Sequence, residues 1–238
     1  RLVGSEMCIR DRINIITKEP LRDWAEIGHT LMSVGCSGAY DNNTTINASL
    51  VSNNRKAGIY VYGQNRYRSG YDHDGDGFTE VPVINSQSVG MRSFFRTGAY
   101  SRITAQYHHI NEFRRGGDML DRPPHEALIA EQIDHSIDGG SLSFDISSPD
   151  RRNRFNAYAS FQNTARKSYY GSKQDPDAYG TTHDLTVAAG MQYIHEFRKL
   201  LFMPSELTFG TEYSYDDLGD RSIGYDIHTD QTVHIVGA

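Results

Sequence analysis

"LTFGTEYSY", residues 207 to 215, is the stretch on which the fold turns. Leu207, Phe209, Thr211, Tyr213 and Tyr215 alternate with Thr208, Gly210, Glu212 and Ser214. Successive side chains of a β-strand point to opposite sides, so a period of two places an apolar stripe with an aromatic end on one face and small polar groups on the other. The pattern recurs. Phe155, Ala157, Ala159 and Phe161 alternate with Asn156, Tyr158, Ser160 and Gln162, and Leu185 to Tyr193 alternates likewise. Ile46/Ala48/Leu50, Ile59/Val61, Ile103/Ala105/Tyr107 and Leu142/Phe144/Ile146 follow it less cleanly.

This spacing predicts about ten strands, at 24–38, 43–52, 56–68, 86–96, 98–112, 135–147, 152–166, 184–199, 203–217 and 226–238. Short turns at "SNNRK" (52–56), "RTGA" (96–99) and "SPDRRN" (148–153), and a slightly longer one near "KLLFMPS" (199–205), alternate with long polar segments at 69–85, 113–134, 167–183 and 216–225. An up-and-down meander with its long loops at one end is the layout of an outer-membrane barrel; Greek-key sandwiches do not sort their loops this way. Tyr40, Tyr67, Tyr71, Tyr169, Tyr170, Tyr213 and Tyr215 near strand ends fit an interfacial girdle, though tyrosine is also common in strands generally.

Composition agrees. The chain has 238 residues with 15 Tyr and 10 Phe, too many aromatics for a disordered chain. It has no run of about 18 apolar residues, which excludes a transmembrane helix but not a barrel, whose strands need only about 9 to 11 alternating residues. Lys and Arg number 24 against 30 Asp and Glu, and an acidic chain with no basic stripe argues against nucleic acid as a partner. Residues 1–12, "RLVGSEMCIRDR", match nothing that follows and resemble a translated sequencing adapter, so they are expected to be non-native. That leaves Cys36 alone and excludes a disulfide framework. The chain starts in mid-element at Ile13 and ends in mid-strand at "DQTVHIVGA", so the expectation is a partial all-β, antiparallel, up-and-down transmembrane β-barrel.

"INIITKEP", residues 13–20, resembles the closing strand of the plug domain in TonB-dependent outer-membrane receptors. The segments at 111–135, 168–186 and 200–221 resemble Bacteroidetes-type receptors of the cobalamin and iron-complex group. The resemblance implies that 13–23 is the end of a plug with its linker, and that 24–238 is the N-terminal part of a larger plugged barrel. It implies active uptake of a scarce metal chelate: cobalamin, haem or a ferric siderophore. It also implies the TonB complex as partner through a plug region outside this chain, and contact with outer-membrane lipid and lipopolysaccharide. An unplugged porin and a soluble calcium-stabilised adhesin or carbohydrate-binding domain are the alternatives. The sequence holds no G-x-S-x-G, H-E-x-x-H or P-loop, so no enzyme is expected.

"YDHDGDGFTE", residues 71–80, carries the one metal motif. Asp72, Asp74 and Asp76 with Gly77 repeat positions 1, 3, 5 and 6 of a calcium loop, and Phe78 would offer its carbonyl. Glu80 follows at position 9, but position 12 is Val83, so the bidentate Glu of an EF-hand is missing. The competing reading is a solvated turn in which Asp and Gly satisfy turn geometry. His108 and His109 are read as surface or lumen residues ahead of metal ligands. "FRRGGD" (113–118) reads as an anion-binding loop through Arg114 and Arg115, as ion pairs to Asp118 and Asp121, or as a contact to lipopolysaccharide phosphates.

Overall fold

The computed structural model describes residues 18–35, 38–200 and 202–238. Residues 1–12, the "INIIT" stretch and both cysteines lie outside the described residues. Ten strands form one antiparallel sheet in chain order: β1 Trp24–Val34, β2 Ala39–Val51, β3 Ala57–Arg68, β4 Thr79–Phe95, β5 Ser101–Gly117, β6 Ile129–Ser147, β7 Asn153–Ser172, β8 Tyr179–Leu200, β9 Met203–Ser222 and β10 Ile227–Gly237. Only two short 3-10 turns, Pro124–Glu126 and Ile223–Tyr225, interrupt this pattern among the described residues.

The strands are longer than alternation alone predicts. β6 begins at Ile129 inside the expected 113–134 loop, and β7 and β8 take up most of 167–183. The long connections shrink to 69–78, 118–128, 173–178 and 223–226. Alternation reports where one face meets an apolar medium, whereas a ladder of backbone hydrogen bonds continues in water with polar residues on both faces. β8, with 22 residues, is roughly 70 Å long at 3.3 Å per residue, far more than a bilayer crossing needs.

Register joins the separate stripes into one face. Ala48 pairs with Val61, Val61 with Met91 and Met91 with Tyr107. Farther along, Phe144 pairs with Ala157, Ala157 with Met191, Phe155 with Tyr193 and Tyr193 with Phe209. Partners in a ladder point the same way, so Ile46, Leu50, Val61, Met91, Leu142, Phe161, Leu207 and Phe209 share a side. They are exposed on it, Ile27 at 75% and Phe209 at 66%. Among the described residues no second sheet covers this face, which removes the two-sheet sandwich.

The tyrosine girdle is corrected in part. Tyr40 and Tyr67 lie on the apolar face with ring centroids 5.6 Å apart, and Tyr213 and Tyr215 lie on it too. Tyr170 points to the polar face, Tyr169 is buried and Tyr71 sits in a loop against Gly35. Position near a strand end does not specify the side.

Two tight turns share one construction. In "SNNRKA" and "SPDRRN", Ser52 and Ser148 accept a backbone N–H from Arg55 and Arg151, at 2.7 and 2.9 Å. Both arginines are left-handed, with φ of 53° and 58°. The serine hydroxyls donate to Asn54 and Asp150, which holds each turn without a glycine.

The opposite, polar face has its own small core at the short-turn end. Trp24, Tyr60 and Tyr62 form a row with centroids 6.0 and 5.9 Å apart, and Pro20 is buried beside Phe94 over Gly58. Elsewhere rings on this face occupy the space beside glycines of the next strand: Tyr62 at Gly90, His108 at Gly139 and Tyr158 at Gly190. A glycine leaves room for a neighbouring ring to fold onto the wall, and the ring replaces the missing side-chain contact.

Candidate functional site

The acidic loop closes the β3–β4 hairpin. An isolated bridge, Tyr71 to Val81, pins its base with N–O distances of 3.0 and 3.1 Å. Thr79 ties it to β5, donating to the Gly117 carbonyl at 2.9 Å and accepting the Gly117 N–H at 3.1 Å. Within the loop, Asp72 accepts N–H bonds from Gly75 and Gly77 at 2.7 and 2.8 Å. Asp76 accepts from Phe78 at 2.8 Å, and Glu80 from His73 at 2.7 Å. Gly75 and Gly77 have φ of 78° and 90°, a backbone region closed to most L side chains.

These bonds turn the carboxylates inward. Asp72, Asp74, Asp76 and Glu80 each place one oxygen so that all four lie within 4.8 Å of one another. Oxygens on opposite sides of a calcium ion, each about 2.3 to 2.6 Å from it, are separated by roughly that much, so the four fit one shell. The N–H groups of Gly77 and then Gly75 hold the Asp72 carboxyl below the usual carboxylate range, which keeps it ionised. The four metal-ligand side chains read from the spacing therefore converge, and Phe78 lies on the same turn with its N–H on Asp76.

The neighbouring connections are built differently. Ala127, Ala130, Tyr169 and Ala178 form a buried cluster, with Tyr169 only 1% exposed. The Tyr169 ring meets Tyr179 edge-on at 4.9 Å and its hydroxyl donates to the Asp175 carbonyl at 2.9 Å. Asp118 accepts the N–H groups of Leu128 and Ile129 at 3.2 and 3.0 Å, closing loop 118–128. Loop 173–178 joins it through Lys173 N–H to the Leu128 carbonyl, 2.6 Å, and Gln174 to the Glu126 carbonyl, 3.0 Å.

In "FRRGGD" the two arginines part. Arg114 pairs with Glu112 at 2.7 Å, while Arg115 is buried and donates to the carbonyls of Gly116 and Asp118 at 2.9 and 3.3 Å. The alternative of ion pairs to the Asp118 and Asp121 carboxylates finds none among the described residues, and the Asp118 oxygens accept the Leu128 and Ile129 N–H groups. His108 and His109 point to opposite faces, His108 onto Gly139 and His109 to Asp138 at 2.9 Å, so they do not form a shared ligand pair. Sequence reasoning missed the Tyr169 cluster, for which the "PPHEAL" segment opposite two tyrosines was the available signal. It also missed Glu19, which lies between Arg92 and Arg102.

No protein-family model matches the chain, and no curated protein matches it. Among solved structures it is similar to the siderophore receptor PirA from Acinetobacter baumannii, with a TM-score of 0.69 and 16% identity over 88% of this chain and 32% of that one. The chain spans about a third of the length of that receptor. At this identity the likeness is one of fold: the ten-stranded antiparallel sheet is similar to part of that β-barrel.

Proposed function

We propose that the chain is the N-terminal part of the barrel of a TonB-dependent outer-membrane receptor, which imports a scarce metal chelate and catalyses no reaction. The observation that carries this reading is the exposed apolar face shared across a ten-stranded meander, with the receptor-like fold beside it. In water such a face would drive aggregation, whereas in a bilayer it is the solvent-matched surface. The polar wall then lines the lumen, and the long connections face outside the cell. Residues 13–23 are the end of a plug and its linker, 24–238 belong to the barrel, and 1–12 are not native. The substrate class is cobalamin, haem or a ferric siderophore.

Within that reading Asp72, Asp74, Asp76, Glu80 and the Phe78 carbonyl hold a structural calcium at the outer end of the β3–β4 hairpin. The convergence of four carboxylate oxygens supports it. Lacking a carboxylate at position 12, the loop is expected to bind weakly, in the ~10⁻⁴ to 10⁻³ M range of extracellular calcium modules. Ordering the loop would raise substrate affinity by preorganisation.

The test is uptake by cells carrying the full-length protein in the outer membrane, offered labelled cobalamin, haem and ferric siderophores. Saturable uptake of one of them that stops when the proton-motive force is dissipated supports the proposal. Passive entry of many small solutes in proportion to their concentration replaces it with a porin, and purification without detergent with a soluble domain. For the ion, calorimetry on wild type and on Asp72→Asn/Asp74→Asn/Asp76→Asn decides: equal calcium uptake by both makes the loop a solvated turn.

A further inference from the structure

The two ends of the sheet carry opposite charge. The tight turns 52–56, 96–100 and 148–152 hold Arg55, Lys56, Arg96, Arg151 and Arg152 against Asp150 alone. The long connections reverse this: 69–78 and 118–128 have three acidic residues each, 173–178 has two and 223–226 one, against Arg122 and Lys173. The turn cations stand where the apolar face stops, since Leu50, Phe95 and Ile146 are exposed on that face just before the three turns. Arg96 donates its N–H to the Lys56 carbonyl at 2.7 Å, so the first two turns lie side by side. Arg152 pairs with Asp150 at 3.5 Å, and the Arg96 guanidinium lies 5.9 Å from the Phe94 ring centroid. Among the described residues the side chains of Arg55, Lys56 and Arg151 have no hydrogen-bonding or ionic partner. Arg55 and Arg151 have φ of 53° and 58°, a region that strains an L side chain and suits glycine. Both turns thus keep an arginine where the backbone favours glycine, and neither guanidinium makes a polar contact that offsets the strain.

We propose that the short turns form a cationic rim that binds the headgroups of net-anionic phospholipids in the leaflet they meet, with Arg55, Lys56 and Arg151 as the phosphate-binding side chains. The inference rests on the bilayer placement proposed above and not on uptake. A phospholipid is apolar along its chains and ends in a phosphodiester. The wall repeats that order of chemistry, an exposed Leu50 or Ile146 followed by a cation at the tip of the turn. A guanidinium presents parallel N–H donors that match two phosphate oxygens. In a zwitterionic headgroup the lipid's own ammonium competes for the phosphate, so the rim favours a headgroup without one, such as phosphatidylglycerol. Each Lys or Arg near such a surface adds attraction, which salt screens within a Debye length. The acidic connections at the other end repel the same lipid, so the selectivity is confined to one side of the sheet. An acidic protein would answer the charge but not the exposed apolar residues that lead into it.

The test reconstitutes the full-length protein into phosphatidylethanolamine vesicles doped with spin-labelled phosphatidylglycerol or spin-labelled phosphatidylcholine, and reads the immobilised fraction of each label by electron spin resonance. The expected result at low salt is a preference of about fivefold for phosphatidylglycerol, what one cation beside a lipid surface gives. High salt should abolish it, and so should Arg55→Gln/Lys56→Gln/Arg151→Gln, whereas Arg55→Lys/Arg151→Lys should keep most of it. Arg55→Gly/Arg151→Gly should melt no lower than the parent in detergent yet lose selectivity, which separates the rim from a structural role. Insertion with no preference between the two lipids, or a preference unchanged in the triple variant, overturns the rim and leaves the bilayer placement standing. Failure to insert into either vesicle overturns the placement and the rim together. In vesicles that also contain lipopolysaccharide, selection of that lipid in place of phosphatidylglycerol by the same three residues puts the turns in the other leaflet and overturns the proposal.

Discussion

Two neighbouring connections at one end of the sheet stay ordered by opposite means. Loops 118–128 and 173–178 close over Tyr169 and three alanines and carry a small apolar core of their own. Loop 69–78 has no such buried cluster among the described residues: besides the Tyr71–Val81 bridge and the Ser69–Tyr40 bonds at its base, it is held by backbone N–H groups donating to Asp72, Asp76 and Glu80. The first unit keeps its shape by excluding water, which no ion alters. The second gathers like charges and keeps the geometry while leaving the repulsion, so the calcium proposed above would add to its order. A surface built from both has one fixed part and one adjustable part.

The largest effect should come from breaking the fixed part. Tyr169→Ala removes a buried ring and its hydroxyl bond to Asp175, and is expected to cost about 3 to 5 kcal/mol of local stability. Hydrogen exchange should then rise through 118–128 and 173–178 while the acidic loop keeps its rates; a uniform rise would mean the two regions are one unit. Next, Asp118→Ala strips the acceptor from Leu128 and Ile129 and is expected to cost about 2 kcal/mol, read as faster exchange of those two amides.

Gly77→Ala sharpens the comparison from the other side. A Cβ there meets nothing within 4 Å, so the penalty is backbone strain alone, about 1 kcal/mol, visible as faster amide exchange in loop 69–78, and as weaker binding of the calcium proposed above, with no change in the Tyr169 unit. The smallest effect is that of pH. The native Asp72 carboxyl lies below its ordinary value, so its contribution to loop order is fully present above that ordinary value. It is lost as pH falls through the lowered native value. Amide signals of Gly75 and Gly77 should therefore hold steady through neutral pH and shift only below the usual carboxylate range. Movement at neutral pH would overturn this assignment.

Strand number, order and sidedness were legible because an apolar medium on one face writes a period of two into residues such as Leu207, Phe209 and Tyr213. Where polar residues stand on both faces, as from Glu131 to Asp134, no such record is kept, and strand was read as loop. The convergence of Asp72, Asp74, Asp76 and Glu80 was legible because their spacing repeats that of a calcium loop. Glu19 was not, since an ion pair reaching from residue 19 to residues 92 and 102 leaves no local pattern. The direction of Arg115 escaped for a related reason: a guanidinium bonded to carbonyls pairs with groups every residue possesses.

The rings beside glycines bear on how such a wall can change through descent. Any side chain at Gly90 meets the Tyr62 ring, and any at Gly190 meets Tyr158, so a lone replacement of the glycine pushes an aromatic ring off the wall. A lone replacement of the tyrosine bares a glycine in mid-strand. Each pair is thus a single heritable unit joined across two strands, and in descendants of this chain Tyr62 with Gly90, and Tyr158 with Gly190, should be kept or exchanged together.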